Sequence, residues 1–281
     1  MAAPKLSDVL ATVFAQEGCD TLFTLMGDAN MYWTEAMQRQ PGMNIIHARH
    51  EHCAVAMADA YARATGKVGV ASTTCGPGFT QIMTGLAIAA RANTPMVVFA
   101  GDSPIAAPYY IQQIDMAPLT QATGAHHISV KTMDRALDNV REAFHFAALE
   151  RRPVVISIPM DLQKQAYPHM VDYIPSADYL PAAQRPQPDP TLVEKLVEMI
   201  AAAEKPMIIA GRGAKLSKAR EAIEEMAEAM GALLTTSLTF KLAAIRGALS
   251  SFGLILVGIA VSAIFTALVG IASAMVSRAD A

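Results

Sequence analysis

Five short apolar runs, each followed by a stretch of helical length, constrain this chain more than any other feature. They are TLFTLM (21–26), MNIIHA (43–48), KVGVASTT (67–74), PMVVFAG (95–101) and PVVISIP (153–159). Their apolar residues run nearly continuously instead of alternating with polar ones. A strand of that kind is covered on both faces, which predicts a parallel sheet between two layers of helices. The segments between them read as helices over 7–18, 30–39, 52–65, 79–91 and 134–150, with Ser7 or Asp8 as the first cap and Gly18 and Gly66 as stops. The expected class is therefore α/β with a doubly wound parallel sheet. Ligands of such sheets sit outside the carboxyl ends of the strands. Gly27, Glu51, Gly76, Pro77 and Gly78 all fall at such ends.

The pattern stops at residue 164, which bounds a first domain over 1–164. Between 165 and 190, Pro168, Pro175, Pro181, Pro186, Pro188 and Pro190 break regular structure, and this stretch reads as a linker. Strand and helix patterns then restart: a helix at 191–203, a strand at 206–211, a helix at 217–230 and a strand at 232–237. That is part of a second α/β domain over 191–241. From Gly247 to Ser277 there is no charged residue, and these 31 residues are long enough to span a bilayer. Three readings of the tail at 242–281 stay open. One is a transmembrane helix over 249–276, with Gly258, Ser262 and Thr266 letting helices approach and Lys241 and Arg246 on a cytoplasmic side. The second is a buried βα unit with 254–258 as its strand. The third is the product of a shifted reading frame.

Composition excludes several classes. A net charge of −3 with both signs dispersed gives no electrostatic footprint for nucleic acid. With 53% hydrophobic and 17% charged residues the chain is not disordered. Three cysteines without a Cys-x-x-Cys pair argue against a disulfide framework. The N-terminus lacks a basic start followed by an apolar run, so no signal peptide is read. The expected location is cytoplasmic, with membrane anchoring through the tail as the open variant.

The chemistry-bearing stretch is IIHARHEHCAVAMADAYARATG (45–66). His47, His50 and His52 surround Glu51, but the zinc-protease pattern His-Glu-x-x-His fails because residue 54 is Ala, and no metal site is assigned. Glu51 alone fits a helix-start carboxylate favoured by the macrodipole, or a group that moves protons. Ala54, Ala56, Ala58, Ala60, Ala62 and Ala64 make a slim helix that can pack closely. A carboxylate sealed beside it would be desolvated, which favours its neutral form. TTCGPGFTQ (73–81) is a tight turn open to close approach of a ligand, yet it matches neither Gly-x-Gly-x-x-Gly nor the phosphate loop. Gly211-Arg212-Gly213 is a weak dinucleotide signal, since Leu216 stands where a third glycine belongs. His126-His127 reads as surface structure.

Together these stretches resemble the N-terminal, pyrimidine-binding domain of the thiamine-diphosphate-dependent enzymes, in particular the acetolactate synthase-like lyases and transferases. His-Glu, the Ala-rich helix, Tyr-Ala-Arg-Ala-Thr-Gly and the strand ending Gly-Pro-Gly carry the resemblance, which runs from about Leu6 to Leu162 and more loosely over 191–241. It implies that Glu51 hydrogen-bonds N1′ of the cofactor's aminopyrimidine and so activates the thiazolium carbon for attack on a small 2-oxo acid, with decarboxylation or carboligation to follow. It implies that Gly76, Pro77 and Gly78 pack beside the pyrimidine, that Gly27 lies in a loop on the substrate side, and that Gln112 stands near the reacting centre. Where the family has Phe-Gln-Glu this chain has Ile111, Gln112 and Gln113. The central domain would hold FAD or ADP, and nothing in the residues selects one.

In that family a further domain binds the diphosphate through Mg²⁺, with Gly-Asp-Gly and an Asn about 25–30 residues later. No Gly-Asp-Gly occurs here. The expectation is a half-site without its Mg²⁺ site, inactive alone, completed in a homodimer or by a chain that carries the diphosphate-binding domain. A non-catalytic pyrimidine-domain module that binds a partner subunit, and a small-molecule-binding α/β protein that reuses the fold, are the alternatives.

Overall fold

The structure, a computed structural model, describes residues 3–169, 172–179, 187–204, 206–230 and 233–234. It forms two units, Met1–Gln184 and Arg185–Ala281.

The first unit alternates helix and strand: α1 (Leu6–Gln16), β1 (Thr21–Thr24), α2 (Met31–Gln38), β2 (Asn44–His47), α3 (Glu51–Thr65), β3 (Gly69–Thr73), a single turn α4 (Pro77–Thr80), α5 (Met83–Arg91), β4 (Met96–Asp102), α6 (Met116–Ala122), β5 (His126–Ser129), α7 (Ala136–Glu150), β6 (Pro153–Pro159) and a short α8 (Met160–Lys164). The six strands form one sheet in the order β2-β1-β3-β4-β6-β5. Every pairing is parallel.

The alternation of side chains along each strand explains why these strands are apolar throughout. Leu22, Val70, Val97, Phe99 and Ile156 face a core built with α1, α2 and α7. Their neighbours Phe23, Ala71, Val98, Ala100 and Val155 face a second core built with α3, α5 and α6. Both faces of the sheet are thus covered by helices, so neither can be polar. In α3 the alanines divide by period: Ala54, Ala58 and Ala62 are buried, while Ala56, Ala60 and Ala64 face outward. A Cβ at Gly69 would run into the Ala58 carbonyl group, so helix and strand approach as closely as the small side chains permit.

Some expectations change. α1 starts one residue early with Lys5 at its cap and no side-chain cap bond, and Ser7 is buried instead of capping. The predicted helix at 79–91 is two pieces, because the chain turns at Gln81 and Ile82. The apolar-run pattern gave no element between 102 and 134, where α6 and β5 lie. β5 escapes a hydrophobicity pattern because it is four residues long, begins with two histidines and occupies the sheet edge. The stretch from 165 onward is not free linker at its start. Ala166 bridges to Lys5, Tyr167 and Tyr173 are buried, and Ser176 donates to Glu17 Oε2 at 2.5 Å at the start of a turn of helix, Ser176–Tyr179.

Asp20, ahead of β1, accepts from Lys67 Nζ at 2.5 Å and from the Tyr61 hydroxyl at 2.5 Å. The Lys67 bond, then the Tyr61 bond, hold its carboxyl down at about 2, below its ordinary 3.8. A depressed carboxylate stabilises the fold above its unfolded value, and this is lost as pH falls from about 4 towards 2. Asp20 is partly exposed, which limits the effect to about 1 kcal/mol or less. Asp20→Asn is expected to flatten that part of the acid limb in urea unfolding followed between pH 2 and 6. An unchanged limb would show that the pair contributes nothing.

In the second unit, helix Pro190–Ala201 starts with Pro at its first turn, and the Asp189 side chain accepts from Thr191 N at 2.8 Å. Strands Met207–Ile208 and Leu233–Leu234 pair in parallel, with helices Arg212–Leu216 and Arg220–Met230 between them in sequence. Residues 235–281, including the tail at 242–281 and its expected transmembrane helix, lie outside the described residues. Among the described residues no helix is long and apolar enough to cross a membrane.

Candidate functional site

The strand order places a switch point beside β1. The chain leaves β1 for β2 on one side, then returns to β3 on the other. At such a point the connections diverge at the carboxyl ends of β1 and β3, the place where sheets of this topology form a ligand crevice. Four segments border it: residues 25–30 after β1, Glu51 at the start of α3, residues 74–78 after β3, and residues 103–113 after β4.

Backbone demands explain the glycines. Gly76 has φ 61° and ψ −127°, a conformation that side chains disfavour. A Cβ there would lie 2.5 Å from the Gln112 carbonyl oxygen. Pro77 opens α4, where its missing N–H costs nothing. A Cβ on Gly78 would lie 3.0 Å from Glu51 Oε1 and 2.7 Å from Thr74 Cγ2, and one on Gly27 would lie 2.7 Å from Thr74 Cβ. Gly27, Glu51, Gly76, Pro77, Gly78 and Gln112 are therefore brought to one place, from four separate connections.

Glu51 is the first residue of α3, and the cap is its neighbour: His50 Nδ1 accepts from His52 N at 3.2 Å. Among the described residues the Glu51 carboxylate makes no hydrogen bond or ion pair, and it is half-buried rather than sealed. Gln112 is also half-buried, and its Oε1 lies 3.7 Å from the buried Cys75 thiol. Burial pushes that thiol up to about 11, so it stays protonated at neutral pH. Tyr110 donates to Asp28 Oδ2 at 2.9 Å, tying the 103–113 segment to the 25–30 segment. Burial first, and Asp28 second, push the Tyr110 hydroxyl up to about 12.

Beneath the crevice lies a buried polar network that sequence reading missed. Asn30 donates to Ser72 Oγ at 2.6 Å and to the Leu25 carbonyl at 3.2 Å, and its Oδ1 accepts from Gly27 N at 2.7 Å. Thr24 and Ser72 share a hydrogen bond at 3.1 Å, and Thr74 Oγ1 accepts from Ala29 N at 3.2 Å. Satisfied at each of these points, the network holds the Gly27 turn in one conformation. The available signal was the run of hydroxyl side chains at the ends of β1 and β3, where a wholly apolar strand would have ended otherwise. His126 and His127 lie elsewhere, on edge strand β5. The His127 ring is kept below its ordinary value by burial and takes no part in the crevice.

Residues 4–122 match the thiamine pyrophosphate enzyme N-terminal TPP binding domain, and residues 193–260 match the thiamine pyrophosphate enzyme central domain. The acetolactate synthase large subunit of Haemophilus influenzae is 30% identical over 242 residues, which cover 83% of this chain and 42% of that protein. The glyoxylate carboligase of Escherichia coli O157:H7 is 32% identical over 233 residues, covering 81% and 38%. The chain thus spans less than half the length of these relatives. Among solved structures, the thiamine diphosphate-dependent 4-hydroxybenzoylformate decarboxylase of Rhodococcus jostii RHA1 superposes with a TM-score of 0.69 at 20% identity, over 82% of this chain and 44% of that one. The likeness to that structure is one of fold. The crevice at the switch point lies within the matched N-terminal domain, and the chain belongs to the thiamine pyrophosphate enzymes, related to acetolactate synthase and glyoxylate carboligase.

Proposed function

We propose that the crevice is the pyrimidine-binding half of a thiamine diphosphate site, in a decarboxylase or carboligase that acts on a small 2-oxo acid. The observation that carries this reading is the Glu51 carboxylate, unpartnered among the described residues and facing a position that has no side chain. The missing side chain of Gly78 lets Glu51 and Thr74 close in on its backbone, and the Glu51 carboxylate held there can meet a ring nitrogen of a flat heterocycle. When bound, thiamine diphosphate supplies the carbon nucleophile for the 2-oxo acid. The residues of this chain do the rest. Glu51 holds and returns a proton at the pyrimidine N1′. Gly76 and Pro77 fix the turn that brings Gly78 next to Glu51. Gln112 reaches the substrate side as an amide donor and acceptor, and the Gly27 turn forms the opposite wall. The diphosphate and its Mg²⁺ are assigned to a further domain, one that carries Gly-Asp-Gly and assembles against this crevice. Sealing of Glu51 is assigned to that assembled state, since the carboxylate is half-buried in the single chain.

Calorimetric titration of the full chain with thiamine diphosphate and Mg²⁺ tests the reading. Saturable binding is expected. Gly78→Val puts a branched side chain between Thr74 and Glu51 and is expected to weaken binding by at least about tenfold without loss of cooperative unfolding. Equal affinity in a folded variant would remove Gly78 from the site, and no binding by the unsubstituted chain even when combined with the domain that holds the diphosphate would remove the half-site reading itself.

A further inference from the structure

The two segments that flank the crevice are both held by one short element at the far end of the neighbouring strand β6. Asp161 and Gln163 lie two residues apart in α8. The Asp161 carboxylate accepts from Ile105 N through Oδ1 and from Ala106 N through Oδ2, each at 3.1 Å. Gln163 is fully buried, and its Nε2 donates to the Ala29 carbonyl at 2.7 Å and to the Ile158 carbonyl at 3.0 Å. Two acceptors at one nitrogen fix the amide orientation, since the flipped form would set oxygen against two carbonyl oxygens. One side chain thus grips the 103–113 segment that carries Gln112. The other grips the 25–30 segment that carries Gly27.

The grip has a rigid base. Gln165 just after α8 accepts from Leu6 N at 2.9 Å, Tyr167 N donates to the Pro4 carbonyl at 2.7 Å, and the Lys164 ammonium stands 4.8 Å from the centre of the Tyr32 ring. Gly101 in β4 leaves no room for a Cβ against Ala29, so the Ala29 peptide is pressed on the sheet from one side and held by Gln163. The two segments also meet directly where Tyr110 donates to Asp28 and packs against the cluster of Ala29, Cys75 and Met160.

We propose that Asp161 and Gln163 are positioning residues: through α8 they set the spacing between the Gly27 turn and the Gln112 segment, and with it the width of the crevice. This rests on the proposed function for its consequence, though not for its geometry. Charge-assisted and buried hydrogen bonds to backbone are the strong ones, and losing either frees one segment while the sheet stays intact.

Amide hydrogen exchange on the full chain, with and without thiamine diphosphate and Mg²⁺, tests the proposal. Asp161→Ala is expected to speed exchange at Ile105 and Ala106 by about tenfold or more and to leave residues 26–30 unchanged. Gln163→Met, close in volume and without a donor, is expected to do the reverse. Asp161→Asn keeps one acceptor oxygen and is expected to restore part of the protection. Exchange that rises equally across β3, β4 and both segments, or rises in neither segment, would overturn the clamp. In the same samples each variant is expected to bind thiamine diphosphate about tenfold more weakly. Selective loosening with unchanged affinity would overturn the role in crevice width. Absence of binding by the unsubstituted chain even when combined with the domain that holds the diphosphate would count against the cofactor reading, while the exchange pattern would still decide the clamp.

Discussion

Glu51→Gln is expected to lower turnover of a 2-oxo acid by roughly 10²–10⁴-fold, the range that a positioned acid–base group contributes. The substitution keeps the shape of the side chain and removes its ability to take a proton. The carboxylate caps nothing, because His50 caps α3, and it makes no hydrogen bond or ion pair among the described residues. The fold therefore has little stake in the charge, and the melting temperature should move by no more than about 2 °C, as for a surface change. The measurement is carbon dioxide released from pyruvate by this chain combined with the domain that holds the diphosphate, beside a thermal melt of the chain. A variant that retains more than about a tenth of the rate would leave Glu51 as a helix-start carboxylate and nothing more. A collapse of the melt together with the rate would show a structural role instead.

Trp33→Ala is expected to cost about 3–5 kcal/mol of stability, the range for removing a large aromatic side chain from a core. Trp33 is the only tryptophan of the chain and is fully buried. It stacks on Phe99 with ring centroids 4.1 Å apart and 2° between planes, and meets Phe14 edge-on at 4.8 Å. Phe14 in turn touches Phe144, so one aromatic cluster joins α1, α2, β4 and α7. Its indole N–H has no partner among the described residues, so the loss is one of packing and not of a hydrogen bond. Against a total stability of about 5–15 kcal/mol, such a loss is a large fraction. Urea unfolding followed by circular dichroism measures it, and Trp33→Phe should recover more than half. A cost below about 1 kcal/mol would mean that the cluster does not hold the helix layer to the sheet. Because Trp33 lies three residues after Asn30, the Gly27 turn should loosen with it.

How much of this was legible in advance follows from range along the chain. Strand β6 matches its predicted bounds, 153–159, because an apolar run between a helix stop and a proline is marked at both ends. α3 was equally plain, closed by Gly66 at φ 80° as a left-handed cap requires. Edge strand β5 was not, since an edge needs less apolar surface and leaves no pattern to read. The glycines of the crevice were legible as turns, and their identity as one cluster came from resemblance to a family. What each glycine makes room for, Glu51 for Gly78 and Gln112 for Gly76, is stated nowhere in their local sequence.

By itself, then, the sequence determined the period of each element, the two covered faces of the sheet, the turns and the candidate carboxylate. These depend on residues within a few positions of one another. Only the tertiary structure decided the strand order, the switch point beside β1, the Asn30 network and the hold of Asp161 and Gln163 on segments 55 to 134 residues away. Contacts at that separation obey no local period. They arise where strands become neighbours in the sheet, and the polar groups left at the strand ends must then find partners wherever the chain has brought them.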